Sequence, residues 1–201
     1  MIVLCSMSSA IPMFQDVRYL KSETAPDKLG PCIAEAAFVG RSNVGKSSLL
    51  NALCRSVVAR VSGSPGRTRM INVFLVGRDR WLVDLPGYGY TQARPEKRTD
   101  WGTMIEGYLL ARSTLRMVFV LIDAKVGPTS LDMQMLEWLK SKGMPLCIVA
   151  TKADQVKPSL TVARRRDVAR ALSLTPEDLV WVSAKEDSGL TGLRARVAGL
   201  L

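Results

Sequence analysis

The string Gly40-Arg41-Ser42-Asn43-Val44-Gly45-Lys46-Ser47 fits G-x-x-x-x-G-K-[ST], a spacing suited to one kind of chemistry. Its glycines let the backbone curl so that successive N–H groups point inward, and a helix opening at Lys46 adds the positive end of its dipole. Such a nest holds the α- and β-phosphates of a nucleotide. Lys46 can then reach the β- and γ-phosphates, and the Ser47 hydroxyl can bind Mg²⁺. A plain strand-to-helix turn would use similar residues. The apolar run ending at Val39 and the helical periodicity from Lys46 supply the context that the nucleotide reading requires.

Phosphate loops take ATP and GTP alike, so the base must be read elsewhere. Thr151-Lys152-Ala153-Asp154 and Ser183-Ala184-Lys185 each follow a short Val/Ile/Leu-rich run, where a doubly wound sheet binds its ligand. A carboxylate at Asp154 can accept both the N1–H and the exocyclic amine of guanine. The stem of Lys152 can cover the base plane, and the Ala184 N–H can donate to the guanine oxygen. Adenine lacks that donor pair, and a site left with an unpaired carboxylate rejects it by about 10⁴ or more. Between these stands Asp84-Leu85-Pro86-Gly87. Its carboxylate can hold Mg²⁺ through water, and the Gly87 N–H can bond a γ-phosphate, so the order of this segment should depend on that phosphate. Thr68, in the loop Gly63-Ser64-Pro65-Gly66-Arg67-Thr68-Arg69, is the natural second hydroxyl ligand of the metal.

These residues need a scaffold that brings them to one edge. Apolar runs alternate with helical periodicity, which predicts strands at 35–39, 71–76, 81–85, 115–123, 145–151 and 179–183. Helices are expected at 46–55, 99–112, 129–142, 160–172 and from 189 onward. A tight turn at Gly77-Arg78-Asp79-Arg80 makes 71–76 and 81–85 a hairpin. The expected fold is α/β, a three-layer P-loop NTPase sandwich around a six-stranded, mostly parallel sheet with one antiparallel edge strand. Residues 1–30 read as an N-terminal extension and residues 31–201 as a single domain.

With 47% apolar and 23% charged residues in 201, the composition excludes disordered, collagen-like and disulfide-scaffold classes. Cys5, Cys32, Cys54 and Cys147 form no Cys-x-x-Cys pair and there is no histidine, which argues against zinc sites and histidine catalysis. Apolar runs such as 117–122 fall far short of the roughly 20 residues of a membrane span, and the apolar start carries no Lys or Arg. A soluble, cytoplasmic protein is expected. The 28 Lys and Arg exceed the 18 Asp and Glu by ten. From Arg55 to Arg80 six arginines face one aspartate, Arg94, Lys97 and Arg98 follow Gly87, and Arg164, Arg165, Arg166 and Arg170 mark a predicted helix. Such runs are usually solvated faces. Here they fall on segments that should respond to nucleotide, which would couple it to binding of a phosphate backbone.

The run 37–53, then Pro65-Gly66-Arg67-Thr68, Asp84-Leu85-Pro86-Gly87-Tyr88-Gly89-Tyr90, Trp101-Gly102, Gly127-Pro128, Thr151-Lys152-Ala153-Asp154 and Ser183-Ala184-Lys185 resemble the EngB (YihA/YsxC) family of bacterial GTPases. The resemblance covers roughly residues 12–200, and the Asp-Leu-Pro-Gly-Tyr-Gly-Tyr string is its most diagnostic part. It implies a monomeric GTP- and GDP-binding protein, without stable membrane association, that acts in assembly of the large ribosomal subunit and is linked to septation. It also extends the nucleotide site to Ser48, Gly66, Arg67 and Val182. Arg69 and Lys125-Val126 depart from the family pattern outside the nucleotide motifs.

Many GTPases place a water-orienting glutamine after the D-x-x-G glycine, whereas this chain has Tyr88. Slow intrinsic hydrolysis is therefore expected, with Lys46, Thr68 and Gly87 at the γ-phosphate and the missing stabilisation supplied by a partner or a cation. Asn43 stands where related GTPases help to hold K⁺, although an asparagine there can equally brace the loop. Two other classes remain open: an ATP-dependent kinase or ATPase on the same loop, and a basic RNA-binding module that uses nucleotide as a structural ligand.

Overall fold

Strand residues sort onto two faces by their alternation, and that sorting builds the layers. In β2 (Ala34–Gly40), every residue of which is buried, Ala37 and Val39 face one apolar cluster while Ala36 and Phe38 face the other. β5 (Leu115–Asp123) repeats the pattern, with Val118, Val120 and Ile122 on one side and Phe119 and Leu121 on the other. Phe38 and Phe119 stack across the two strands at 4.9 Å. The computed structural model describes residues 14, 16–59, 70–89 and 99–201, with side chains at all of these except 99–101.

The elements between and beyond these are β1 (Val17–Glu23), α1 (Lys46–Cys54), β3 (Ile71–Val76), β4 (Arg80–Asp84), α2 (Thr99–Ala111), α3 (Ser130–Ser141), β6 (Leu146–Thr151), α4 (Thr161–Ala171), β7 (Leu179–Trp181) and α5 (Leu190–Ala198). The sheet order is β1-β3-β4-β2-β5-β6-β7. Helices α1 and α5 cover one face through Leu49, Leu50, Leu53, Leu190, Leu193 and Val197. On the opposite face α2, α3 and α4 pack through residues such as Tyr108, Leu139 and Val168. All five expected helices form within one or two residues of the expected ends.

The sheet has seven strands rather than six. The added one, β1, comes from the segment expected to be an extension, and it pairs antiparallel with β3 from Val17↔Val76 to Glu23↔Ile71. As expected, one strand runs against the rest. That strand is β3, which lies second from the edge because β1 covers it. Only Val17 of β1 is buried, so Val-Arg-Tyr-Leu-Lys-Ser-Glu carries no alternating apolar signal to betray it. Backbone pairing and a 2.6 Å hydrogen bond from Ser22 to Asn72 hold it instead.

At the end of the sheet remote from the phosphate loop lies a buried carboxylate. Glu35, fully buried, accepts from Tyr108 Oη at 2.5 Å, from Arg112 Nε at 2.7 Å and from the Thr114 hydroxyl. Arg112 also donates to the Gly30 carbonyl and lies over the Trp81 ring, so one guanidinium joins the last turn of α2 to β2 and β4. Burial, reinforced by the Glu35 charge, pushes the Tyr108 phenol well above its ordinary range, which keeps it a donor. Removing one partner of a buried pair leaves the other charge uncompensated. Glu35→Ala should therefore cost about 3–5 kcal/mol, read as a lower urea midpoint at unchanged slope. A shift under about 1 kcal/mol would show that the cluster contributes little.

Candidate functional site

The phosphate loop leaves β2 at Gly40 and re-enters regular structure at α1, whose N-cap is Gly45 at φ 97°. A β-carbon would be strained there, so this residue sets the turn that aims the first-turn amides of Lys46, Ser47 and Ser48 into the concavity. The loop is braced from behind. Thr151 Oγ1 donates to the Val44 carbonyl at 2.6 Å and to the Ile122 carbonyl at 3.2 Å. Lys152 Nζ donates to the Asn43 carbonyl at 2.7 Å and to Asp123 Oδ2 at 2.8 Å. Asp123 is buried at the carboxyl end of β5, and its other oxygen accepts the N–H groups of Lys125 and Val126. Burial alone would raise this carboxyl. The Lys152 hydrogen bond and the two amides outweigh burial and hold it below its ordinary range. Thr151 thus supports the loop from within the core, and the Lys152 ammonium is fixed with its stem passing Gly45.

The base-reading motifs are stitched to one another. Ala153 N–H donates to the Val182 carbonyl at 3.1 Å, and Ser183 Oγ donates to Asp154 Oδ1 at 2.6 Å. Val182 and Ser183 are buried and frame the site, while Ala184 is half-buried and Lys185 exposed. Asp154 is half-buried, held in orientation by Ser183, and retains acceptor capacity for a base edge.

Lys46 and Asp84 come together where a metal-bound triphosphate would lie. Lys46 Nζ stands 2.8 Å from Asp84 Oδ1 in a buried ion pair, and that oxygen has no other partner. A carboxylate met only by one ammonium, together with the Ser47 hydroxyl at the helix start, is a hard oxygen set suited to Mg²⁺. Gly66, Arg67 and Thr68 lie outside the described residues, as do Tyr90, Arg94, Lys97, Arg98 and the Trp101 side chain. Among the described residues there is no cluster of histidine, cysteine, aspartate and glutamate that could hold a metal, and Cys32, Cys54 and Cys147 are free thiols.

Beyond Asp84 the chain stays zipped to the loop. Leu85 and Pro86 are buried, Leu85 N–H donates to the Phe38 carbonyl, and Tyr88 N–H donates to the Gly40 carbonyl at 3.2 Å. The Tyr88 ring turns into the core and its hydroxyl donates to Asp132 Oδ1 at 2.8 Å. Arg41 turns the same way, its Nε 3.4 Å from Asp132 Oδ2, so its side chain faces α3. Asp123 and Asp132 escaped the sequence reading. For the second, the Thr129-x-x-Asp132 capping pattern was the available cue. The arginine run on α4 is partly spent inside the protein. Arg164 donates to the carbonyls of Ala124 and Lys125, and Arg165 to those of Pro176 and Leu179, while Arg166 and Arg170 stay exposed.

A strand, phosphate loop and helix with an ordered Thr-Lys-Ala-Asp and Ser-Ala-Lys pair at one sheet edge define a P-loop GTPase. Residues 35–152 match the family of 50S ribosome-binding GTPases. The chain is 40% identical over 185 residues to the probable GTP-binding protein EngB of Geobacter sulfurreducens, covering 91% of this chain and 90% of that one. It is 48% identical over 159 residues to the same protein of Pelotomaculum thermopropionicum, covering 78% and 80%. Among solved structures it resembles Aquifex aeolicus Era bound to GDP and aluminium fluoride, with a TM-score of 0.65 and 25% identity over 85% of this chain and 57% of that longer protein. The chain belongs to the EngB family of GTP-binding proteins, and it is a GTPase. No helix among the described residues is long and apolar enough to cross a membrane.

Asp123 gives the brace a measurable signature. Its folded carboxyl lies below the ordinary 3.8, so its stabilisation is complete above about pH 5 and is lost as pH falls through the folded value. Asp123→Asn should lower stability at pH 7 by about 1.5–3 kcal/mol. The urea midpoints of the variant and the wild type should converge as pH falls below the folded value. A difference that persists in acid would assign the loss to packing.

Proposed function

We propose that this chain is a slow GTP-driven switch that binds a large-subunit precursor while loaded with GTP and leaves after hydrolysis. The observation that carries the reading is Tyr88. The residue after Gly87 is buried and its hydroxyl is committed to Asp132, so nothing at that position can orient an attacking water. An intrinsically slow GTPase suits a switch whose off-step is supplied by its partner. The match to the 50S ribosome-binding family and the surplus of ten positive charges support a ribosomal partner rich in phosphate.

In this reading the first-turn amides of α1, the loop from Gly40 to Gly45, and Gly66 to Thr68 hold the phosphates, and Thr151 to Asp154 with Val182 to Lys185 hold guanine. Ser47, Thr68 and Asp84 would hold Mg²⁺, which would supply charge neutralisation for the phosphates. Lys46, paired with Asp84 in this structure, would turn its ammonium to phosphate oxygens. Asn43, exposed and at φ 65°, is placed to assist K⁺. The protein acts as a cytoplasmic monomer, residues 31–201 carrying its GTPase activity. The link to septation that the family resemblance implies follows from the ribosomal role: depletion should produce a subunit-assembly defect before a division defect.

Two measurements test the proposal. Large-subunit particles should pellet the protein with a non-hydrolysable GTP analogue, release it with GDP, and bind it at least tenfold more weakly as salt rises from about 50 to 200 mM. Binding that ignores both nucleotide and salt would contradict it. Hydrolysis should run faster in K⁺ than in Na⁺, and Asn43→Ala should remove the difference; equal rates in the two salts would remove Asn43 and K⁺ from the mechanism.

A further inference from the structure

Asp132 is fully buried, hydrogen-bonds to two segments and pairs by charge with a third. Its Oδ1 takes the Tyr88 hydroxyl at 2.8 Å, and its Oδ2 takes the N–H and hydroxyl of Thr129 at 2.8 and 2.7 Å, closing a capping box on α3. Arg41 of the phosphate loop stands 3.4 Å from the same Oδ2. The phosphate loop, the segment Leu85 to Tyr88 after β4 and the start of α3 therefore meet on one carboxylate.

What this carboxylate holds in place is Gly87. The segment from Leu85 to Tyr88 prolongs the parallel β4–β2 ladder beyond the sheet. Tyr88 N–H bonds the Gly40 carbonyl, Ser42 N–H bonds the Tyr88 carbonyl at 3.0 Å, and Ser42 Oγ donates to the Gly87 carbonyl at 3.4 Å. A β-carbon on Gly87 would stand only 3.1 Å from the Ser42 backbone, so the glycine lies pressed onto the phosphate loop. The two residues preceding Gly87 are buried, but Gly89 just beyond Tyr88 is exposed. Tyr88 is thus the last residue of this buried run.

We propose that Tyr88 and Asp132 are positioning residues for γ-phosphate recognition, pinning Gly87 over the phosphate loop so that its N–H is ordered before GTP arrives. The inference rests on the nucleotide site proposed above. A pre-ordered donor spares the entropy of arranging the switch when the γ-phosphate binds. GDP has no γ-phosphate and gains nothing from the pin. The phenol acts as a hydrogen-bond donor and takes no part in proton transfer, since burial, then the Asp132 charge, pushes its ionisation far above the ordinary range. A cavity of about 150 Å³ lined by Arg41, Tyr88, Gly89 and Thr129 lies beside the pin and leaves space for the switch when it is released.

The test compares wild type with Tyr88→Phe, Asp132→Ala, the double variant and Thr129→Ala. The readouts are the affinities for GDP and for a non-hydrolysable GTP analogue, single-turnover GTP hydrolysis and the thermal midpoint. Tyr88→Phe keeps the ring and deletes the hydroxyl. It should weaken the analogue by about five- to twentyfold, change GDP less than about twofold, and slow single-turnover hydrolysis. If it does not fold, Asp132→Ala, which removes the acceptor of that hydroxyl, reads the same ratio. The double variant should be no worse in that ratio than the more affected single one, because both remove one bond. Thr129→Ala should lower the midpoint without altering the ratio. Equal weakening of both nucleotides, or an unchanged ratio, would overturn the inference and leave the pair a structural contact. A wild type that bound neither nucleotide would bring down the nucleotide-site reading and this inference with it.

Discussion

One ammonium group organises the nucleotide end of this protein. Lys152 stands at the carboxyl end of β6, spends one hydrogen bond on the Asn43 carbonyl of the phosphate loop and another on Asp123 of β5. A glycine-rich loop loses much conformational entropy on ordering, and packing of the Val44 side chain into the core offsets only part of it. Here that ordering is shared with the folding of the central sheet, through Lys152 above and the Thr151 hydroxyl below. Because Lys152 belongs to the same tetrapeptide as Asp154, the brace also fixes the distance between phosphate site and base site. Phosphate recognition and base recognition are thus parts of one hydrogen-bonded frame.

The frame divides the site into a part that is built and a part that responds. The loop, Thr151 to Asp154 and Val182 to Ser183 are tied by bonds of 2.6–3.1 Å to buried strands. The Asp84–Lys46 contact is of another kind, a buried ion pair whose two groups would each gain a partner in the metal-bound nucleotide proposed above. At the opposite end of the sheet Glu35 and Arg112 tether the end of α2 to β2.

Much of this was legible in the residues because the governing constraints are local. The phosphate loop, the helix at Lys46 and the strand ends carrying Thr151 and Ser183 follow from spacing, periodicity and the rule that ligands bind at carboxyl ends of strands. β1 was not legible, because an exposed, charged edge strand is held by backbone pairing that any sequence can make. Asp123 and Asp132 were missed for a different reason. Each acts by bonding residues far away in sequence, Lys152 in one case and Tyr88 in the other, and only the fold reveals such pairs. The arginines of α4 show the converse error: a run of like charge suggests one face, yet Arg164 and Arg165 serve the protein's own carbonyls.

The account stands or falls on whether this frame selects guanine. Titration of the protein with GTP, GDP and ATP in Mg²⁺, repeated on Asp154→Asn, tests it most directly. The frame predicts guanine nucleotides bound at least about 10³-fold more tightly than ATP, with most of that preference lost in the variant because two hydrogen bonds to a charged acceptor are gone. Equal affinity for ATP and GTP, or a preference that survives Asp154→Asn, would contradict it.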